Sequence, residues 1–168
     1  MKTLRVALAG NPNAGKSTIF NAMTGSHQHV GNWPGKTVEK KEGKFKHDEY
    51  EIEVVDLPGT YSLTAFSPEE VIARDYIINE KPDLVVTVVD SANLERNLYL
   101  TVQVLELGVP VVVALNMSDI AETRGFNIDL DLLSQGLNSP VVRTTANKKE
   151  GIDQLVATIV AVGEEKNA

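Results

Sequence analysis

Gly10-Asn11-Pro12-Asn13-Ala14-Gly15-Lys16-Ser17 fits G-x-x-x-x-G-K-[ST] at every fixed position. Leu4-Arg5-Val6-Ala7-Leu8-Ala9 leads in as a buried strand, and Ile19, Phe20, Ala22 and Met23 follow on one side of a helix. Strand, glycine-bounded loop and helix together are the context of a phosphate-binding loop. Amides at a helix start are unpaired and converge, and the helix dipole favours an anion there. Gly10 and Gly15 let the backbone close around phosphate oxygens. Lys16 then reaches the β- and γ-phosphates as a point charge, and the Ser17 hydroxyl is a ligand for Mg²⁺.

Around this loop, 168 residues suit one domain, taken as 1–168 with a frayed polar tail over 163–168. The net charge of −7, from 16 basic and 23 acidic residues, argues against charge-driven binding of nucleic acid. Cysteine is absent, which excludes disulfides, thiolate metal sites and a cysteine nucleophile. No stretch approaches the ~20 apolar residues that cross a bilayer, so a soluble chain is expected.

Apolar runs alternate with helical patterns, which predicts an α/β domain with a largely parallel sheet. Gly25 to Lys36, with Trp33 and Pro34, has no apolar period and reads as a long mobile loop. Val38 to His47 and Tyr50 to Asp56 read as two strands joined near Asp48-Glu49, the first a charged edge strand. Ser67-Pro68-Glu69-Glu70 opens a helix with Val71, Ile72, Tyr76 and Ile77 toward the sheet. Leu84 to Asp90 is a strand, and Asn93 to Gly108 a helix with Leu94, Leu98, Val102 and Leu105 on its inner stripe. Val109 to Leu115 and Pro140 to Arg143 read as strands, and Gly151 to Val162 as the last helix. Ligands of such sheets sit beyond the carboxyl ends of the strands, where Gly10, Asp56, Asn116 and Thr145 all fall.

Asp56-Leu57-Pro58-Gly59 follows a strand ~40 residues after the phosphate loop. Its carboxylate suits a water ligand of Mg²⁺, and its Gly59 N–H suits a γ-phosphate. Thr37 is the candidate to add a hydroxyl to Mg²⁺ when a γ-phosphate is present, which makes the loop around it a switch. Asn116-Met117-Ser118-Asp119 reads as a base-recognition loop. The Asp119 carboxylate accepts from guanine N1–H and N2–H₂, a donor pair that adenine lacks. Thr144-Thr145-Ala146-Asn147 after the last strand offers a backbone N–H to guanine O6.

This ordered set resembles the translation-factor-related small GTPases. Within them it is similar to the cytosolic G domain of the prokaryotic ferrous iron transport protein B family. The closer match is carried by Gly31-Asn32-Trp33-Pro34-Gly35-Lys36-Thr37-Val38-Glu39, Asp56-Leu57-Pro58-Gly59-Thr60-Tyr61-Ser62-Leu63 and Asn93-Leu94-Glu95-Arg96-Asn97-Leu98-Tyr99-Leu100. The resemblance implies a three-layer P-loop GTPase fold, with a mostly parallel six-stranded sheet and one antiparallel edge strand. It implies nucleotide contacts from Gly10, Asn11, Asn13, Ala14, Gly15, Lys16, Ser17, Thr18, Asp56, Gly59, Asn116, Met117, Asp119, Thr145 and Ala146. Lys16, Thr37, Gly59 and Asn13 would serve hydrolysis of GTP to GDP, and Ser17, Thr37 and Asp56 would serve Mg²⁺.

The family attaches this domain to a helical spacer and a membrane permease, at the cytoplasmic face of the membrane, and leaves a homo-oligomer open. Met117 and Asn147 stand where lysines are common in GTPases, which implies modest nucleotide affinity. No Gln follows Gly59 closely and no Arg lies in Gly25 to Lys36, so slow intrinsic turnover is expected. Related GTPases with Asn at position 13 use it to help bind K⁺, so the resemblance implies K⁺-stimulated hydrolysis. His27 and His29 make an incomplete iron site. The other readings are a ribosome-assembly or tRNA-modification GTPase, a nucleotide sensor with negligible hydrolysis, and an ATPase, which Asp119 disfavours.

Overall fold

The computed structural model describes residues 1–167, so the tail expectation for Ala168 lies outside the described residues. Seven strands form one sheet in the order β2-β3-β4-β1-β5-β6-β7. They are β1 (Lys2–Gly10), β2 (Gln28–Asn32), β3 (Glu39–His47), β4 (Tyr50–Asp56), β5 (Leu84–Asp90), β6 (Val111–Asn116) and β7 (Val141–Arg143). The pairs β4/β1, β1/β5, β5/β6 and β6/β7 are parallel, whereas β2/β3 and β3/β4 are antiparallel. The helices are α1 (Lys16–Thr24), α2 (Pro68–Asp75), α3 (Leu94–Glu106), α4 (Ser118–Thr123), α5 (Leu130–Leu137) and α6 (Ile152–Asn167).

The central strands are mostly apolar because both faces of the sheet are covered. Leu4, Val6 and Leu8 of β1 pack with Ile19 and Phe20 of α1 and Leu155 and Ile159 of α6. The alternate residues Ala7 and Ala9 pack with Ile72, Leu100 and Val104 from α2 and α3 on the other face. This is the three-layer architecture that the resemblance implied.

Four features differ from the sequence reading. The first is the strand count. Gln28–Asn32, expected within a mobile loop, is an edge strand paired with β3, so the sheet has seven strands and two antiparallel pairs instead of six and one. Its residues are almost all exposed, so backbone pairing and the Gln28 amide, which donates to Asn21 Oδ1 at 2.8 Å, hold it and no apolar alternation announces it. Second, α3 buries Asn97, Leu100, Thr101 and Val104; of the expected stripe, Leu94, Leu98 and Leu105 pack partly buried against the same core and Val102 is exposed. Polar Asn97 and Thr101 find buried partners there: Asp90 N–H donates to Asn97 Oδ1 at 3.1 Å, and Thr101 Oγ1 donates to Thr87 Oγ1 at 3.2 Å.

Third, α6 continues through Asn167 instead of fraying after Val162. Gly163 lies buried on Leu4, where a Cβ would come within 2.8 Å of Leu4 Cδ1, and Lys166 Nζ sits 3.6 Å from Asp83 Oδ1. Fourth, α4 and α5 fill a stretch without a predicted element. Asp129 caps α5 by accepting from Leu132 N–H at 3.1 Å, a signal legible in hindsight. The predicted cap of α2 is present, with Ser67 Oγ accepting from Glu70 N–H at 3.2 Å. A π-helical turn, Tyr76–Glu80, prolongs that helix. Among the described residues, no helix is long and apolar enough to cross a membrane.

Candidate functional site

The parallel strands end together. Leu8 is level with Asp56, Gly10 with Val88 and Asp90 with Asn116, so the motif-bearing loops share one edge of the sheet. Between β1 and α1 the chain needs two left-handed residues, Asn13 (φ 71°) and Gly15 (φ 91°). Gly15 occupies the cap of α1, and no side chain caps it there. The first-turn amides are thereby left open to an anion. A Cβ on Gly10 would come within 2.9 Å of Val88 O, so the loop is closed tightly against β5.

Lys16 and Asp56 meet here. The Lys16 ammonium forms an ion pair with the Asp56 carboxylate, and both side chains are largely buried. Ser17 is exposed at the start of α1. An exposed hydroxyl one residue after the Lys16–Asp56 pair, together with that buried carboxylate, offers hard oxygen donors of the kind Mg²⁺ takes. Asn11 is only 4% exposed, and neither polar atom of its amide has a hydrogen-bond partner. An unsatisfied buried amide is costly, so its place at the phosphate loop favours a ligand that satisfies it. The loop after β4 is tied to β1 by Leu57 N–H to Leu8 O at 3.0 Å and Thr60 N–H to Gly10 O at 3.0 Å. Gly59 between them faces Pro12, where a Cβ would meet it at 3.4 Å.

Asn116 joins the phosphate and base loops. Its Nδ2 donates to Ala14 O at 3.0 Å, and its Oδ1 accepts from Thr144 Oγ1 at 3.0 Å and Ala146 N–H at 3.1 Å. Thr144, expected only as part of a stretch offering backbone N–H groups, enters the site through its hydroxyl. Nothing local in Thr144-Thr145-Ala146 distinguishes which threonine turns inward. The Ala146 N–H already meets Asn116 and the Thr145 N–H donates to Glu150 O at 3.0 Å, so a guanine O6 that takes either of these two amides would share it. Met117 takes a left-handed conformation (φ 59°) and starts α4. Asp119 follows on the first turn of α4, partly exposed, with Lys148 Nζ 3.3 Å from its Oδ2.

Thr37 is not drawn into this cluster. It lies exposed in the turn between β2 and β3, which Trp33 N–H to Val38 O (2.9 Å) closes. Trp33 anchors that turn, 7% exposed, edge-on to Tyr76 at 5.8 Å with Lys40 Nζ 4.8 Å from its ring centre. His27 and His29 are exposed, and no group of three or more metal-ligating side chains gathers among the described residues.

A family model described as Ferrous iron transport protein B matches residues 4–159. A Fe(2+) transport protein A/Fe(2+) transporter FeoB fusion protein of Porphyromonas gingivalis is 53% identical over 165 residues, covering 98% of this chain and 20% of that protein. The Fe(2+) transporter FeoB of Escherichia coli is 52% identical over 163 residues, covering 95% of this chain and 21% of that protein. The chain thus spans about a fifth of the length of these curated relatives. Among solved structures, the FeoB G-domain from Methanococcus jannaschii matches with a TM-score of 0.87 and 51% identity, over 98% of this chain and 99% of that one. The cytosolic domain of the T. maritima FeoB iron transporter in a GDP form matches with a TM-score of 0.93 and 47% identity, over 96% of this chain and 63% of that one.

Proposed function

Because the chain belongs to the ferrous iron transport protein B family, whose G domain it matches in sequence and fold, we propose that it binds GTP and GDP with Mg²⁺, hydrolyses GTP slowly, and regulates a ferrous iron transporter. The observation that carries the nucleotide reading is Asn116. One buried amide ties the phosphate loop at Ala14 to the base loops at Thr144 and Ala146. A triphosphate and a purine can therefore be held at a fixed separation by one rigid unit. The T. maritima relative in GDP form supports the same assignment.

The phosphates lie on the amides of residues 13–18, with the Lys16 ammonium on the β- and γ-oxygens. The Ser17 hydroxyl and the Asp56 carboxylate, directly or through water, hold Mg²⁺, which offsets phosphate charge when bound. Thr37 joins them when the β2–β3 turn folds over the γ-phosphate, and leaves after hydrolysis. Gly59 N–H and backbone groups near Thr37 align the attacking water. Without a Gln or an Arg in these segments, turnover is slow. Asn13 contributes its side-chain oxygen to a K⁺ beside the phosphates, supplying the charge an arginine would bring. In the longer relatives, a helical spacer and permease would receive the signal at the cytoplasmic face of the membrane.

Titration of fluorescent GTP, GDP and ATP with MgCl₂ tests the binding reading. Micromolar guanine nucleotide binding with ATP excluded is expected, and no binding at millimolar GTP or GDP overturns it. Phosphate release in KCl against NaCl tests the K⁺ role. About tenfold faster turnover in KCl is expected for the wild type, with the difference lost in Asn13→Ala. Equal rates of wild type in the two salts would remove the K⁺ assignment and leave nucleotide binding intact.

A further inference from the structure

The loop after Gly59 is held on α3 by two contacts that the GTPase motifs do not explain. The Arg96 guanidinium lies over the Tyr61 ring, 4.7 Å from its centre. The Leu63 N–H donates to Gln103 Oε1 at 2.7 Å, and Leu63 itself is buried. Arg96 and Gln103 are seven residues apart, so they lie on one face of the helix. The face is firmly founded. Asn97, next to Arg96, accepts from Asp90 N–H at 3.1 Å and donates to Asn93 O at 2.9 Å, which fixes the start of α3 to the end of β5.

We infer that Arg96 and Gln103 are positioning residues for GTP hydrolysis: they clamp Tyr61 and Leu63 so that the Gly59 amide stays where the γ-phosphate and attacking water need it. The inference rests on the hydrolysis reading above. Tyr61 is two residues from Gly59, and Thr60 between them is already tied to Gly10 O. Gly59 thus lies between the Leu57 and Thr60 bonds to β1, and the α3 contacts at Tyr61 and Leu63 hold the chain immediately after the second of them. Where backbone amides do the aligning, small displacements of the loop act directly on the rate. Arg96 is exposed and Gln103 partly so, and neither belongs to the buried core. Their substitution therefore tests geometry without emptying the core.

The test compares wild type, Arg96→Ala, Arg96→Lys, Gln103→Ala, the double alanine variant and Tyr61→Phe. It measures saturated turnover with MgCl₂ and KCl, GDP affinity and thermal unfolding. Arg96→Ala is expected to lower kcat roughly two- to fivefold, as loss of an exposed cation–π contact implies. Gln103→Ala acts similarly, and the double variant reaches about tenfold. GDP affinity and the unfolding midpoint stay unchanged. Arg96→Lys and Tyr61→Phe keep most of the rate, because a cation over a ring remains. A wild type that turns over with Arg96→Ala and Gln103→Ala at the same rate overturns this inference alone. So does a fall in kcat that merely tracks weaker GDP binding or a lower midpoint. A wild type that binds GTP and never releases phosphate sinks the hydrolysis reading, and this inference with it.

Discussion

Asp119→Asn is expected to exchange the base the site accepts. The wild-type carboxylate offers two acceptor oxygens to guanine N1–H and N2–H₂. An amide in the same rotamer offers one acceptor and one donor, and the donor faces the guanine amino group. Two charge-assisted hydrogen bonds become one neutral bond and one clash of like donors. GTP affinity should fall by about 100-fold or more. Xanthosine triphosphate keeps the N1–H and carries a carbonyl where guanine has the amino group, so it matches the amide side chain and should become the preferred ligand. The fold should not notice. Among the described residues, the ion pair lost is Lys148–Asp119 at 3.3 Å on a partly exposed side chain, worth at most about 1 kcal/mol. Competition of GTP and xanthosine triphosphate for a fluorescent guanine nucleotide measures both affinities. An Asp119→Asn protein that still prefers GTP would mean that Asp119 does not read the base.

The parts of this site that could be read from the chain are those where one residue type answers one physical demand. Gly15 must turn left-handed (φ 91°), Lys16 must bring charge, and Asp56 must end a strand, and each is visible as a spacing. The central strands were legible for a similar reason, since burial on both faces leaves an unbroken apolar run such as Val111 to Leu115. What could not be read is held by the backbone or by distant partners. The strand Gln28–Asn32 exists through its ladder with Glu39–Gly43, and its side chains are mostly in water. The role of Thr144 depends on Asn116, 28 residues earlier. On α3, Leu94, Leu98 and Leu105 reach the core as the apolar period predicts, whereas Asn97 and Thr101 are buried polar residues that such a period steps past.

The loop between Ser62 and Ser67 has the same character: the Glu70 carboxylate accepts from Ser62 Oγ and Phe66 N–H, both at 2.8 Å. The Ser62 hydroxyl, and after it the Phe66 amide, hold this carboxyl below its ordinary range. The order it gives the loop is present above the unfolded pKa and is lost as pH falls through the lowered folded one.

Lys16→Ala should abolish measurable hydrolysis and also separate two duties of one ammonium. In the free protein Lys16 is the buried partner of Asp56. In the proposed GTP complex the ammonium would turn to the β- and γ-phosphates, while Asp56 would serve Mg²⁺ instead. The site thus exchanges one pairing of charges for another, and neither carboxylate nor ammonium is left alone in either state. Removing the ammonium breaks both halves. GTP affinity should fall by about 100-fold or more, since a charge-assisted contact to the terminal phosphates is lost.

The free protein should be destabilised too, because breaking a buried pair from one side typically costs about 3–5 kcal/mol. The cost here lies toward the lower end, since both side chains keep some contact with solvent. Adding Asp56→Asn to Lys16→Ala removes the stranded charge, so the double variant should recover much of the unfolding free energy. It should recover no hydrolysis, because both the phosphate cation and the Mg²⁺ carboxylate are then gone. Urea unfolding without nucleotide and phosphate release with GTP separate the two readouts. A Lys16→Ala protein as stable as wild type would mean that the Lys16–Asp56 pair contributes nothing to the free state. One that still hydrolyses GTP at the wild-type rate would remove Lys16 from the phosphate site altogether.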